Sequence, residues 1–480
     1  MFIGNRLLFD KLINSSFKIK NELNKIKILH KAAKLASTGM VGIFNSRKIE
    51  DQLIEISQKH HCTISGNIVR SSFLHVFTQC YTTGGHTRVC ERWIKYSPSN
   101  EMHSIAFINQ KSIDIPTNLN NYVKEKKGSL FFLNGNYLDK AIKLREIASS
   151  FDKIILHVNM EDVVPILAFG NKSFKRPIIF FNHADHLFWL GVSISDIVVN
   201  LRTISKEINI KCRDALNNLT IPLPVDKPKS QDRNLEKINK TKLELDFPIS
   251  SKIIITMASS YKYLPFDSYN FTDTISDILK NNKNTCFLAI GPNNKEKYWT
   301  KLIKQYPNRV KTIGLINNSE VEKYIKIADL GIDSFPFSSF TSLLDIGKYN
   351  IPCFCLKTPI NEIDTFLESG IYYNSQQEMT EAINNFLQKD IVNQNFYNTI
   401  KEKHFPEPFI ENIKYLYQNT PQTHNIKKLN KSNDDNEFKY WKEFVFKMKM
   451  QSKLTFKKNM LQKFCNSIKK RIKKLKLCIK

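Results

Sequence analysis

The chain has 480 residues, 41% of them apolar, with 72 Lys/Arg against 45 Asp/Glu and a formal net charge of +27. That size and apolar content suit two folded domains and a tail rather than a disordered polymer, and no run reaches the roughly 18 apolar residues of a membrane-spanning helix. The charge points to a polyanionic partner, although part of it is a diffuse enrichment in Lys. The nine cysteines are scattered, and the one close pair, Cys353 and Cys355, alternates along a predicted strand. Reduced structural thiols in a cytosolic compartment are expected, not zinc or disulfides. The opening MFIGNRLLFDKLINSSFKIK has no sustained apolar stretch or small-residue cleavage site, so no secretory signal is expected.

Residues 1–65 read as a polar helical arm, with KNELNKIKILHKAAKLAS its clearest amphipathic piece. From Ser72 the texture changes. SFLHVFTQC reads as a buried strand, and a Gly-rich turn after it opens a helix. HSIAFIN, SLFFLN, KIILHVN, PIIFFN and DIVVN follow at helix-length intervals, which predicts a parallel sheet with right-handed crossovers over residues 66–222. Three prolines and dense charge then mark a linker, placed at 223–250. A second series, KIIITM, CFLAIGP, RVKTIG, ADLGID and PCFCL, gives a second domain over 251–400. Residues 401–436 supply a closing helix and a polar segment. The predicted class is α/β, with two Rossmann-like domains, an N-terminal helical arm and a basic amphipathic C-terminal tail.

Several places in this frame carry chemistry. In ADLGIDSFPFSSFTSLLDIGKYNIPCFC, strand, hydroxyl-rich loop and helix follow one another, the unit in which an α/β sheet presents a helix N-terminus to a ligand. Thr341 and Ser342 would stand at that N-terminus, where free N–H groups favour a phosphate. Asp345, one turn further in, is placed to accept from a ribose diol. Thr82 to Arg88 joins the first strand to its helix; Gly84 and Gly85 let backbone approach a ligand, and Arg88 follows. His86 is either a general base or a helix-start hydrogen bonder. In FFNHADHLFWLG, His183, Asp185 and His186 stand just past a strand end; His183 or Asp185 is the expected functional residue, His186 less so. No further ligand set accompanies the trio at metal spacing, so no metal is expected.

The donor segment resembles that of GT-B glycosyltransferases, most of all the O-GlcNAc transferase and bacterial protein N-glucosyltransferase group. Asp333, Pro336, Thr341, Ser342, Asp345 and Pro352 stand where that group has its Asp, Pro, Thr-Thr/Ser, Asp and late Pro. Two positions depart: Phe340 stands where the group often has His, and Tyr349-Asn350 replaces Ala-Gly. The resemblance implies a nucleotide sugar in the cleft between two domains and a Gly-rich loop at Gly84-Gly85. It implies an acceptor-side His or Asp among His183 and Asp185. It makes Lys262, followed by Pro265, the partner of the donor diphosphate, and it gives Gly314 to Ile316 contacts to the base. No Asp-x-Asp is present, and Phe337 stands eight residues before Asp345, where the Glu-x7-Glu of retaining members would place its first Glu, which favours metal-independent transfer with inversion.

The expected activity is therefore transfer of a sugar from a nucleotide donor, UDP-linked, to a bacterial surface glycan or lipid-linked acceptor, with no cofactor beyond the nucleotide-sugar co-substrate. Protein glycosylation, nucleotide-sugar 2-epimerisation and non-enzymatic nucleic-acid binding are the rivals; no nucleic-acid reader module is recognisable. Residues 437–480 carry 15 Lys/Arg against two Glu. Within them Leu461, Phe464, Cys465, Ile468, Ile472, Leu475 and Ile479 recur at helical spacing beside Lys469, Lys470, Arg471, Lys473 and Lys474. An apolar stripe under a basic face predicts a peripheral helix on an anionic membrane, on the cytoplasmic side.

Overall fold

The computed structural model describes residues 2–429 apart from residues 40, 65–66, 82–84, 186 and 359–367. Gly84, His186 and the basic tail, with Lys469, Lys470, Arg471, Lys473 and Lys474, lie outside the described residues. The chain forms two compact units: residues up to 229 together with 398–429, and residues within 230–397.

The first unit is built on seven strands: β1 (Val69–Phe77), β2 (Met102–Phe107), β3 (Leu130–Phe132), β4 (Phe151–His157), β5 (Ile178–Asn182), β6 (Ile197–Asn200) and β7 (Asn218–Thr220). They lie in the order β3-β2-β1-β4-β5-β6-β7 with every pairing parallel. Parallel strands need covered faces, which is why β5 is buried along its whole length and reads as an unbroken apolar run. One face packs Leu74, Val76, Ala106, Ile154 and Leu156 against the N-terminal helices. The other packs Phe77, Ile105 and Phe107 against Cys90 and Ile94 of the helix Gly85–Tyr96. Because the chain winds outward from β1 on one side and from β4 on the other, the crevice beside these two strands is the natural ligand position.

The N-terminal helical arm is integral to this unit. Ile26, Leu29, Ala32 and Leu53 from the helices Glu22–Gly39 and Arg47–Lys59 are fully buried in the same core as β1 and β4. Glu50, also fully buried, accepts backbone N–H groups from Gly191 and Ser193, both at 2.8 Å. Burial raises the Glu50 pKa, while these hydrogen bonds pull it back.

The segment read as a linker is more structured than its composition suggests. Its start is clasped to the first unit, where Asp226 accepts from Arg92 at 2.8 Å and Lys95 at 2.6 Å. Burial opposes the Asp226 charge, but the Arg92 guanidinium and these hydrogen bonds win and hold its carboxyl well below the usual range. The helix Leu235–Glu244 then belongs to the second unit, because Lys242 donates to the carbonyls of Ser251 and Ile249 at 2.7 and 3.0 Å.

The second unit has six parallel strands, β8 (Lys252–Met257), β9 (Thr285–Ile290), β10 (Val310–Thr312), β11 (Leu330–Ile332), β12 (Cys353–Leu356) and β13 (Tyr372–Tyr373). Their order, β10-β9-β8-β11-β12-β13, repeats the outward winding of the first sheet, now about β8 and β11. The helix Pro406–Asn419 returns to the first unit. There Trp93 Nε1 donates to Tyr417 at 2.8 Å, and the Tyr417 ring stacks on Phe73 at 4.5 Å. Among the described residues none of the seven cysteines forms a disulfide, and no helix is long and apolar enough to cross a membrane.

Candidate active site

In the second unit the winding reverses between β8 and β11, and the loops leaving those two strands interlock. Asp333, the residue after β11, is buried and organises the following loop around its carboxylate. Oδ1 accepts the N–H of Ser334 at 2.8 Å and of Ser339 at 2.9 Å, and Oδ2 accepts the Ser338 hydroxyl at 2.5 Å. Lys262, in the turn after β8, donates from Nζ to the Ser338 carbonyl at 2.8 Å. Burial lowers the Lys262 pKa and Asp333 counters it. The loop runs into the helix Thr341–Gly347 through Phe340, whose φ of 40° is a strained value for a residue with a side chain.

Thr341 and Ser342 open that helix and are half-buried. Thr341 donates its hydroxyl to the Ser339 carbonyl at 3.2 Å. Asp345 accepts from Lys348 at 2.9 Å, so a ribose diol at this carboxylate would share it with an ammonium. Gly314 stands past β10 with φ +69°, and its carbonyl accepts from Gly291 N–H at 2.7 Å. Gly291 itself, at φ +106°, must be glycine: a Cβ would lie 2.0 Å from the Ala258 carbonyl oxygen. The residues after β8, β9, β10 and β11 thus gather at the carboxyl edge of one sheet. Lys262, Gly314, Thr341, Ser342 and Asp345 all belong to this edge.

In the first unit the structure brings His86 and His183 together. Their rings stack at 5.0 Å with planes 20° apart. His86 comes from the first turn of the helix Gly85–Tyr96, and His183 from the residue after β5. His86 Nε2 lies 3.3 Å from the Gln79 carbonyl, which can only accept, so the proton sits on Nε2 and Nδ1 keeps its lone pair. Burial lowers the His86 pKa, which keeps the ring neutral at pH 7. A neutral imidazole with a fixed tautomer is suited to accept a proton. Gly85 is exposed at the start of the same helix, and Arg88 lies one turn in, close enough to Glu91 to act on its charge.

Asp185 does not join the pair. Its carboxylate accepts from Arg202 at 2.8 Å and from the Ser205 hydroxyl, at the start of the helix Thr203–Arg213. The arrangement is that of a buried ion pair, in which Oδ2 is shared between the Arg202 guanidinium and the Ser205 hydroxyl. The physical reason is local: the His-Ala-Asp spacing turns Asp185 inward while His183 stays half-buried.

Sequence reasoning missed one role and one set of residues. Asp333 is placed by the resemblance, but its part as the anchor of the loop is visible only in the fold. His75, His103 and His157 lie fully buried on β1, β2 and β4 and are joined nitrogen to nitrogen. The signal was in the runs FLHVF, HSIAF and IILHV: one histidine inside each of three buried strands is costly unless partnered.

No protein-family model matches the chain, and no curated protein matches it. Solved structures do. A glycosyltransferase from Rickettsia africae is 14% identical with a TM-score of 0.54, over 74% of this chain and 98% of its own. The Anabaena protein HepE, solved with UDP and glucose, is 13% identical with a TM-score of 0.52, over 72% of this chain and 99% of its own. The lipopolysaccharide outer core galactosyltransferase WaaB is 15% identical with the same TM-score and the same coverage. These likenesses identify the fold as GT-B.

Proposed function

We propose that the protein is a glycosyltransferase that moves a sugar from a nucleotide donor, UDP-linked, to a hydroxyl of a glycan or lipid-linked acceptor. The observation that carries this reading is the interlocked loop after β11, drawn around Asp333 and tied by Lys262, at the carboxyl edge where the winding of the second sheet reverses. The UDP and glucose found in HepE, which has a similar fold, support a UDP donor.

In this reading the second unit holds the nucleotide. The half-buried residues Thr341 and Ser342 meet the diphosphate with hydroxyl and N–H groups, and Asp345 meets the ribose. Lys262, in the turn after β8 and bonded to that loop, offsets with its ammonium the charge that grows on the departing nucleotide, with no metal required. The first unit supplies the base. His86 Nδ1 takes the proton of the acceptor hydroxyl as that oxygen attacks the anomeric carbon, and the bond to the nucleotide breaks in the same step. His183, stacked on His86, fixes the ring against rotation. The basic tail is proposed to hold the enzyme at an anionic membrane surface where such acceptors are found.

The test is a screen of nucleotide sugars by ligand-induced thermal shift. Stabilisation by UDP compounds supports the assignment; stabilisation by none of the nucleoside diphosphate sugars removes it.

A further inference from the structure

Three histidines in the first unit have no part in that chemistry. His103 pairs in register with Phe73, two residues before His75, and His157 pairs with Phe77, two residues after it. Residues two apart share a sheet face, so the three imidazoles form a diagonal row across β2, β1 and β4. The row runs from the amino edge of the sheet at His103 to its carboxyl edge at His157.

Their nitrogens meet in sequence. His157 Nε2 lies 3.0 Å from His75 Nδ1, and His75 Nε2 lies 3.0 Å from His103 Nδ1. His103 Nε2 lies 3.2 Å from Glu101 Oε2, on a carboxylate that is 14% exposed. At the other end His157 Nδ1 is buried with no hydrogen-bond partner. Phe77 stacks on His157 at 4.7 Å and Phe181 lies at 5.3 Å; beyond these rings stand His86, 5.7 Å from Phe77, and His183, 6.5 Å from Phe181.

His75, His157 and Cys90 also bring three potential metal ligands within 4.8 Å of one another. The geometry favours a shared proton instead. The His75 and His157 ring centroids are 5.2 Å apart with planes at 24°, and their nitrogens are 3.0 Å apart, so the rings meet edge to edge. The facing nitrogens point along the line between the rings, so an ion with metal–nitrogen bonds of about 2.0 Å could not lie on both lone-pair axes at once. Trp93 closes the row with an apolar wall, T-shaped to both rings at 5.9 and 6.2 Å.

We propose that Glu101, His103, His75 and His157 form a one-proton relay across the first sheet, linking the Glu101 carboxylate to the edge where His86 and His183 stand. At the start each histidine carries its proton on Nε2, and Glu101 is ionised. A proton arriving at His157 Nδ1 releases the Nε2 proton to His75 Nδ1. The His75 Nε2 proton passes to His103 Nδ1, and the His103 Nε2 proton passes to Glu101. One proton has entered and one carboxylate is neutralised. All three rings remain neutral with their tautomers exchanged, and the reverse sequence returns the proton.

The surroundings suit this traffic. Burial pushes Glu101 up to about 7, while Lys126, Lys153 and Lys414 pull the other way. Burial, aided by Lys126, takes His103 down to about 3; burial with the neighbouring imidazole lowers His75, and burial with His75, His86 and His183 lowers His157. Tyr417, on the helix that covers Phe73, also faces Glu101. The rings thus stay neutral over the range in which the carboxylate titrates.

The connection to transfer rests on His86 as the base; the relay does not. The test is long-range 1H–15N correlation NMR of the full chain with 15N-labelled histidine, from pH 8.5 to 5.5, beside Glu101→Gln and His75→Phe. The expected result is a joint change of His75, His103 and His157 from the Nε2–H to the Nδ1–H form, with one midpoint near 7 and no imidazolium, lost in Glu101→Gln. Tautomers that stay fixed through the range, or rings that charge one by one, would overturn the relay. In a transfer assay Glu101→Gln should shift the acidic limb of kcat with KM unchanged. A tautomer switch in a protein with no transfer activity would leave the relay standing and remove the base assignment alone.

Discussion

The Nζ of Lys262 and the carbonyl of Ser338 are 2.8 Å apart, and that bond joins the turn after β8 to the loop after β11. With the Phe337 N–H donating to the Lys262 carbonyl at 3.4 Å, it ties the segments that leave the two central strands of the second sheet to each other. An ammonium with an ordinary surface role would be solvated, whereas this one is committed to the backbone of the loop proposed to receive the diphosphate.

Replacing it with an apolar side chain of similar length separates charge from shape. Lys262→Met is expected to lower kcat by on the order of 100- to 1000-fold, the usual cost of losing one preorganised donor to a developing anion. Nucleotide affinity should change far less, because the charge on the leaving group grows only in the transition state. Steady-state kinetics with UDP release as the readout checks this. A kcat within threefold of the parent would show that Lys262 only braces the loop.

The tautomer of His86 sets a pH profile. Burial lowers its pKa from the ordinary 6.5, so the basic form persists to lower pH and kcat/KM should be flat above neutrality, falling only on the acid side of 6.5. His86→Gln is expected to remove that limb and to cost about 100- to 10,000-fold in rate. An unchanged acidic limb in the variant would move the base elsewhere.

His404 gives a stability test independent of function. It is buried, its Nδ1 donates to the Leu223 carbonyl at 2.7 Å, and burial holds its pKa down at about 4. A depressed folded-state value means that the stability it contributes is present above 6.5 and is lost as pH falls toward 4. Urea melts at pH 7 and pH 4.5 should therefore show the gap between parent and His404→Gln shrinking by about 2–3 kcal/mol. A gap that is constant with pH would mean that His404 is not held neutral.

The tail is tested by removal. Without residues 437–480 the chain should lose binding to anionic vesicles while donor hydrolysis in solution is unchanged, since each basic residue at such a surface is worth ~1 kcal/mol. Equal vesicle binding by both chains would place the membrane contact elsewhere or nowhere.

Both sheets were legible because parallel strands buried on two faces leave unbroken runs such as KIIITM and PIIFFN. The helix Leu235–Glu244 was hidden by prolines before it and by a charge density that resembles a linker, its burial being carried by only Ile238, Thr241 and Lys242. The pairing of His86 with His183 was not legible, since they stand 97 positions apart in the chain and only the strand order brings β1 and β5 near each other. Asp185 looked as available as His183; what distinguishes them is Arg202, which a linear pattern cannot place beside it. The histidine row was hidden for the same reason: register between β1, β2 and β4 is a property of the folded sheet.

Hydrogen–deuterium exchange with and without a UDP-sugar tests the donor site most directly. The account predicts slowed exchange in residues 334–342, around Lys262 and at Gly314, with the strands beneath unchanged. Protection confined to other surfaces, or none at saturating donor, would contradict it.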